Sequence, residues 1–241
     1  MVITMLHVIL LDSAIELVPP EISSSKQVQK HAGRRGKGPT EILLDQTHHG
    51  RAMTKLDNGE RRGRPDISYL CLLSLLETPL CKAGLLTVNL HLQGGRIIDV
   101  NPNVRLPRNY DRFVGLVEQL IQHGRVPLEG EPLLMVRSLT LQELVSNLKS
   151  PEDSEISILC TEGGKRTTID GLSAIMPTDA SIPLIVGIGA FPHGDLSQDI
   201  KTLFKSHIEL DKDVMMAWHV CAEILWTYSW RINVVRRRFE H

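Results

Sequence analysis

The chain has 241 residues, enough for one large α/β domain or one domain with an insertion. Its net charge is −1, so there is no global basic field, and any binding of nucleic acid must come from local clusters of Lys and Arg. Apolar residues make up 42%, ample for a core, while aromatics at 4% are too few for a base-stacking platform.

Met1 to Leu11 is apolar but has no basic start and is interrupted by His7, which reads as a buried strand and not as a leader. His7 to Leu11 has the continuous apolar pattern of an interior parallel strand. Asp12-Ser13 is expected to cap a short helix ending before Pro19-Pro20. Residues 21–40 carry Lys26, Lys30, Arg34, Arg35 and Lys37 among glycines and read as a flexible basic loop. That loop is either a solvated surface segment or a nonspecific contact to an RNA backbone. Glu41 to Asp45 is expected as a strand, and His48-His49 as a pair in a loop. Adjacent histidines do not share a face, and no second ligand cluster lies nearby, so no metal site is expected.

Arg64-Pro65-Asp66 opens a helix with proline at its first position, and the apolar residues that follow bury it. Leu85 to Leu92 and Arg96 to Val100, joined by Gln93-Gly94-Gly95, form a β-hairpin at about 85–100. A helix from Asn109 to His123 shows an apolar stripe of period 3.6 and a stop at Gly124. Leu133 to Val136 is a strand, and Thr140-x-x-Glu143 starts a capped helix. Ile156 to Thr161 is a strand ending in the polar loop 162–166, and Pro183 to Ile188 is another strand. The last helix runs from about Val214 to Trp230, before the basic tail Arg236 to Arg238. Strands alternating with helices indicate an α/β fold with a mainly parallel sheet, in a single domain over 1–241.

The four cysteines have no C-x-x-C spacing, which points to a reducing compartment and a cytoplasmic location. No run reaches the roughly 18 apolar residues of a membrane span, so no membrane partner is expected. Gly187-x-Gly189 follows a strand, but the next glycine is five residues on and Pro192 intervenes, so it is no dinucleotide fingerprint. Gly163-Gly-Lys-Arg-Thr167 lacks the first glycine and the Ser/Thr of a phosphate loop and is set aside.

The most telling cluster is Arg105, Arg108 and Arg112 at the start of the 109–123 helix. That end already carries partial positive charge, so three guanidinium groups there call for an anionic partner. The alternative is a solvated helix end with salt bridges to Asp111 or Glu118. Asp66 stabilises the dipole of its own helix, holds Arg64, or does both.

Gly63-Arg-Pro-Asp-Ile67, Asn101-Pro-x-x-Arg-Leu-Pro-Arg-Asn-Tyr-x-Arg-Phe113 and Gly189-Ala-Phe-Pro-His-Gly194 together resemble the SPOUT-class pseudouridine-N1 methyltransferases of ribosome biogenesis. Leu43-Leu-Asp45, Lys82 to Leu86 and Ala217-Trp218 extend the resemblance along nearly the whole chain. It implies a SPOUT-type sheet with a C-terminal trefoil knot, the hairpin as an added element, S-adenosyl-L-methionine as cofactor, a homodimer, and a pseudouridine of small-subunit ribosomal RNA as substrate. A eukaryotic source would imply the nucleolus. Arg64, Arg105, Arg108 and Arg112 then match RNA-contacting arginines, and Arg64 and Asp66 the catalytic pair. Thr161, Gly189, Gly194 and the stretch Leu210, Asp211, Lys212, Asp213, Val214 and Met215 match three cofactor loops. The third loop is charged, so its contacts are expected to be mostly through backbone. The basic segment 26–38 has no counterpart in these motifs. The other functions open to such a chain are an rRNA-binding assembly factor with little catalysis and a methyltransferase acting on tRNA.

Overall fold

The computed structural model describes residues 6–149, 155–178 and 181–240; the apolar start at 1–5 lies outside them. An eight-stranded sheet has the order β4-β5-β3-β2-β1-β7-β6-β8. Its strands are β1 (Leu6–Ser13), β2 (Leu86–Leu92), β3 (Ile97–Val100), β4 (Arg125–Val126), β5 (Leu134–Arg137), β6 (Ile156–Arg166), β7 (Leu184–Gly189) and β8 (Ser206–Glu209). The five strands from β2 to β8 in that order run parallel, and β3, β5 and β4 continue the sheet antiparallel. The expected hairpin is present, and it is built into the sheet through β2, which pairs with β1. β1 and β7 lie at the centre, which explains their unbroken apolar runs.

The helices are α1 (Pro20–Ser23), α2 (Lys26–Arg35), α3 (Gln46–Met53), α4 (Pro65–Leu75), α5 (Pro79–Lys82), α6 (Tyr110–His123), α7 (Leu141–Leu148), α8 (Ile169–Ile175), α9 (Gln198–Lys201), α10 (Ala217–Arg231) and α11 (Val234–Phe239), with a 3-10 turn at Gly59–Arg61. The largest core cluster joins β1, β2 and β7 to α4, α6 and α10; Tyr228, Phe113 and Leu75 are fully buried in it. α7 starts with the expected capping box between Thr140 and Glu143, and Gly124 ends α6 at φ 79°.

Several expectations need correction. The segment 21–40 is not a flexible loop but two helices followed by a turn. Val28 and Ala32 of α2 pack with Ile22, Ile42, Leu44 and Met53 in a core cluster of their own. Burying Val28 alone is worth about 1.5–3 kcal/mol, which outweighs the glycine content. Asp12-Ser13 starts no helix: β1 continues through Ser13, and the next backbone groups bond outward, with Val18 N–H donating to Ile42 O and Arg64 N–H to Ala14 O. Glu41 to Asp45 forms only a single bridge, Leu17 to Leu43, because Asp45 turns to cap α3. His48-His49 lies inside that helix, with His49 fully buried.

The polar segment 162–166 belongs to β6. The strand bulges between Cys160 and Lys165, both of which register with Ile208 of β8. Gly163 turns there at φ 72°, and a Cβ on Gly164 would stand 2.6 Å from the Ile208 backbone. The near-miss to a phosphate loop is therefore a strand crossing that only glycine can make. The helix expected from Val214 is α10, which begins at Ala217 and leaves Val214 and Met215 in a loop; it is not the last, because the basic residues Arg236 to Arg238 lie in α11.

Candidate functional site

Gly63 adopts φ 64° and places Arg64 just before α4, where Pro65 occupies the first helical position. Arg64 Nε and Nη2 donate to the two carboxylate oxygens of Asp66 at 2.8 and 2.7 Å. This fork–fork pair fixes the plane of the guanidinium. The hydrogen bond to Asp66 raises the Arg64 pKa, so the group stays cationic while it remains partly open to solvent. Sequence reasoning expected this pair, and the structure brings it together.

The arginine-rich segment is anchored from beneath. Val104 and Leu106 are buried, Tyr69 donates its hydroxyl to Pro107 O at 3.1 Å, and Asn109 accepts from Arg112 N–H at 3.1 Å to cap α6. The Tyr69 ring packs against Tyr110 and Phe113, with centroids 5.5 and 4.7 Å away. Arg105, Arg108 and Arg112 are exposed, and among the described residues their guanidinium groups form no hydrogen bond or ion pair. The alternative of salt bridges to Asp111 or Glu118 does not hold among those residues. Glu118 is fully buried and receives Arg35 and Lys37, each at 2.7 Å, together with Leu43 N–H at 3.0 Å.

Tyr110 contributes more than apolar anchoring. Its hydroxyl donates to Asp45 Oδ2 at 3.1 Å, and burial followed by the Asp45 charge raises its pKa strongly. Asp45 also caps α3 and accepts from Thr47 N–H at 2.7 Å. The first residue of α6 is thus tied to the start of α3, close to Arg64. The Asp45 link was not legible in the sequence, because it joins positions 65 residues apart.

Beyond the carboxyl ends of β6, β7 and β8, where ligands of open α/β sheets bind, lies a cavity of about 830 Å³. Thr161, Gly189, Gly194 and all of Leu210, Asp211, Lys212, Asp213, Val214 and Met215 line it, as do Arg64, Ala217 and Trp218. The bulged part of β6 at Thr161, expected as a loop, therefore meets the two loops at 189–194 and 210–215 at one place, and Arg64 stands at its edge. Asp66 lies behind Arg64; the arginine trio does not line the cavity. Its walls combine apolar Ile188, Leu210 and Val220 with Glu162, Glu209, Asp211 and Asp213.

Arg61 was not foreseen. Its guanidinium sits 4.2 Å from the centroid of the Phe191 ring and donates to Asp195 O at 2.8 Å and to Asp12 Oδ2 at 3.3 Å. It backs the loop from Gly189 to Gly194, where Gly194 takes φ 87° and a side chain would run into this arginine. The signal in the sequence, one arginine in Arg61-Arg62-Gly-Arg64, does not say which of the three faces the loop. Among the described residues, no group of three or more His, Cys, Asp or Glu side chains is arranged to hold a metal ion.

Residues 8–229 match the family model described as EMG1/NEP1 methyltransferase. The chain belongs to the EMG1/NEP1 methyltransferase family. Among its relatives, the ribosomal RNA small subunit methyltransferase Nep1 of Staphylothermus marinus is 41% identical over 221 residues, covering 91% of this chain and 93% of the relative. The Nep1 of Thermococcus onnurineus is also 41% identical, over 92% and 96% of the two chains. The crystal structure of Archaeoglobus fulgidus Nep1 bound to S-adenosylhomocysteine superposes with a TM-score of 0.81 at 34% identity, covering 94% of this chain and 98% of that one. The EMG1/NEP1 match spans the Arg64–Asp66 pair, the arginine segment and all three cavity loops.

Proposed function

We propose that this EMG1/NEP1 protein transfers a methyl group from S-adenosyl-L-methionine to ring nitrogen N1 of a pseudouridine in small-subunit ribosomal RNA, in support of small-subunit assembly. The observation that carries this reading is that Arg64, fixed by Asp66, stands at the rim of the cavity formed by the three loops. The relatives named as small-subunit rRNA methyltransferases and the S-adenosylhomocysteine-bound Nep1 structure support it.

The cavity fits the cofactor. Its volume lies in the range of about 300–1,000 Å³ typical of small-molecule sites. Its apolar walls suit a purine, and its carboxylates suit a sulfonium and an amine. S-adenosyl-L-methionine supplies a methyl group already activated on sulfur. The work of the chain is placement. Arg105, Arg108 and Arg112 grip phosphates flanking the target and set the register. Those contacts offset the few kcal/mol needed to take the base out of its stack. Arg64 favours the ring with its N1 proton released to water, because a fixed cation stabilises the anion beside it; the ring nitrogen then takes the methyl group and S-adenosylhomocysteine leaves. Asp66 holds that guanidinium in place.

The test is a methylation assay on a pseudouridine hairpin. Arg64→Ala and Asp66→Asn are each expected to lower the rate by roughly 10²-fold or more. A uridine hairpin serves as control, since its N1 carries the ribose. Full activity in both variants would refute the assignment, and calorimetry finding no affinity for S-adenosyl-L-methionine would favour a non-catalytic assembly factor.

We also read the C-terminal part as the trefoil knot and the protein as a homodimer, in the cytoplasm or, in a eukaryote, the nucleolus. Trp226 and Trp230, one turn apart on α10 and 50% and 71% exposed, support a partnered face there. Sedimentation at micromolar concentration tests it: a monomer that stays monomeric rules it out.

A further inference from the structure

α2 is a cationic helix that the proposed reaction leaves without a role. Between Glu21 and Glu41 the chain has no acidic residue. Of the five cations in this stretch, Arg35 and Lys37 share an ion pair with the buried carboxylate of Glu118 on α6. The other three, Lys26, Lys30 and Arg34, are exposed and form no ion pair or side-chain hydrogen bond among the described residues. They sit at i, i+4 and i+8, on one arc of about 80° and about 6 Å apart along the axis.

This arrangement opposes the helix that carries it. Like charges at i, i+4 repel, and Lys26 stands in a first turn that has no acidic residue. Gly33 falls beside the same solvent face in the last turn of α2, and a Cβ there would meet nothing within 4 Å. Packing therefore does not require glycine at this position, although glycine weakens the helix. An open, small residue beside a line of cations lets another backbone approach the helix axis closely.

The position of α2 is fixed relative to the arginine face. Glu118 fastens it to α6, and the His31–His49 hydrogen bond of 2.9 Å fastens it to α3. Asp45, which caps α3, holds Tyr110 at the start of α6. The helix thus flanks the element that carries Arg112 in its first turn and Arg108 just before its cap.

We infer that the Lys26–Lys30–Arg34 stripe is a second RNA-contacting surface, which takes the single-stranded backbone running out of the loop held at Arg105, Arg108 and Arg112. This rests on the RNA reading above. It gives the site a footprint longer than the target loop.

The experiment measures affinity against salt for the full-length protein on two RNAs, a pseudouridine hairpin alone and the same hairpin with single-stranded flanks. Each phosphate contact to a single strand contributes about 0.7 to the slope of log K against log salt. The triple variant Lys26→Gln, Lys30→Gln, Arg34→Gln is expected to lower the slope on flanked RNA by about 2, with a melting temperature slightly raised by the loss of like-charge repulsion. Gly33→Gln keeps every charge and adds bulk; it is expected to weaken flanked-RNA binding several-fold while raising the melting temperature. An unchanged slope in the triple variant, with binding still lost in Arg108→Ala, overturns the stripe and leaves the arginine face standing. Unchanged binding in both overturns the stripe and the RNA reading together. Unchanged binding by Gly33→Gln overturns the close approach on which the stripe depends. A retained RNA slope with lost binding of polyglutamate assigns the stripe to an acidic protein and overturns it as well.

Discussion

Helix α6 carries two contrasting sets of cationic neighbours. At its start, Arg105, Arg108 and Arg112 face solvent without a partner among the described residues. Two turns on, Arg35 and Lys37 converge on a single oxygen of Glu118, whose side chain is fully buried. The residue types are alike, and the difference is the carboxylate. A buried carboxylate turns cations into structural fasteners, whereas unpaired cations at the positive end of a dipole hold free energy that only an anion from outside releases. Charge composition cannot separate the two cases.

The sharpest way to break this contrast is Glu118→Ala. It leaves Arg35, Lys37 and Leu43 N–H without their acceptor, and the expected loss of stability is about 3–5 kcal/mol by urea titration. A loss below about 1 kcal/mol would make the cluster a mere surface contact.

Acid should loosen the same region next. Burial, then His31, lowers the pKa of His49 to about 4. Asp45 N–H donates to its Nδ1 at 3.1 Å, so the ring is an acceptor there. The unfolded chain takes up this proton below about pH 6.5 and the folded chain only near pH 4. Stability is therefore complete above about 6.5 and falls as pH drops toward 4, by at most about 3 kcal/mol. His49→Gln is expected to flatten that slope in denaturation measured from pH 7 to 4.

At the other end of the contrast, Arg108→Ala should change stability by less than about 0.5 kcal/mol. Its cost should appear in RNA affinity, about 1.5–3 kcal/mol for a lost charge-assisted contact. A fall in stability with RNA affinity intact would place Arg108 among the fasteners. The smallest effect is reserved for a cap remote from both sets: Thr140→Ala should cost about 1 kcal/mol of stability and leave RNA affinity unchanged.

Local signals carried much of this molecule. The Gly124 stop, the Thr140 capping box and the apolar runs of β1 and β7 each depend on residues a few positions apart. The Arg64–Asp66 fork spans two residues and was legible for the same reason. The segment 21–40 misled because its glycines and charges dominate locally, while the partners that make it a helix, Ile42, Met53 and Glu118, lie elsewhere in the chain. Arg61, and the Tyr110–Asp45 link, depend on contacts between distant segments and have no local pattern. The three cavity loops were placed by resemblance; their meeting in space is a property of the parallel order β7-β6-β8.

The strand crossing at Gly164 has a consequence for inhibitor design. There β6 presses on the backbone of Ile208, and Gly163 N–H and Arg166 both donate to Glu209. The wall of the cavity made by β6 and the end of β8 is therefore stitched together at Glu209. The loop that follows β8 is different: its residues 211–214 are exposed, and the hydrogen bond between Asp213 N–H and Asp211 is local to it. A chemist enlarging a cofactor analogue should leave the half against β6 and β8 unchanged and add bulk toward 211–214, where the rim is open to solvent.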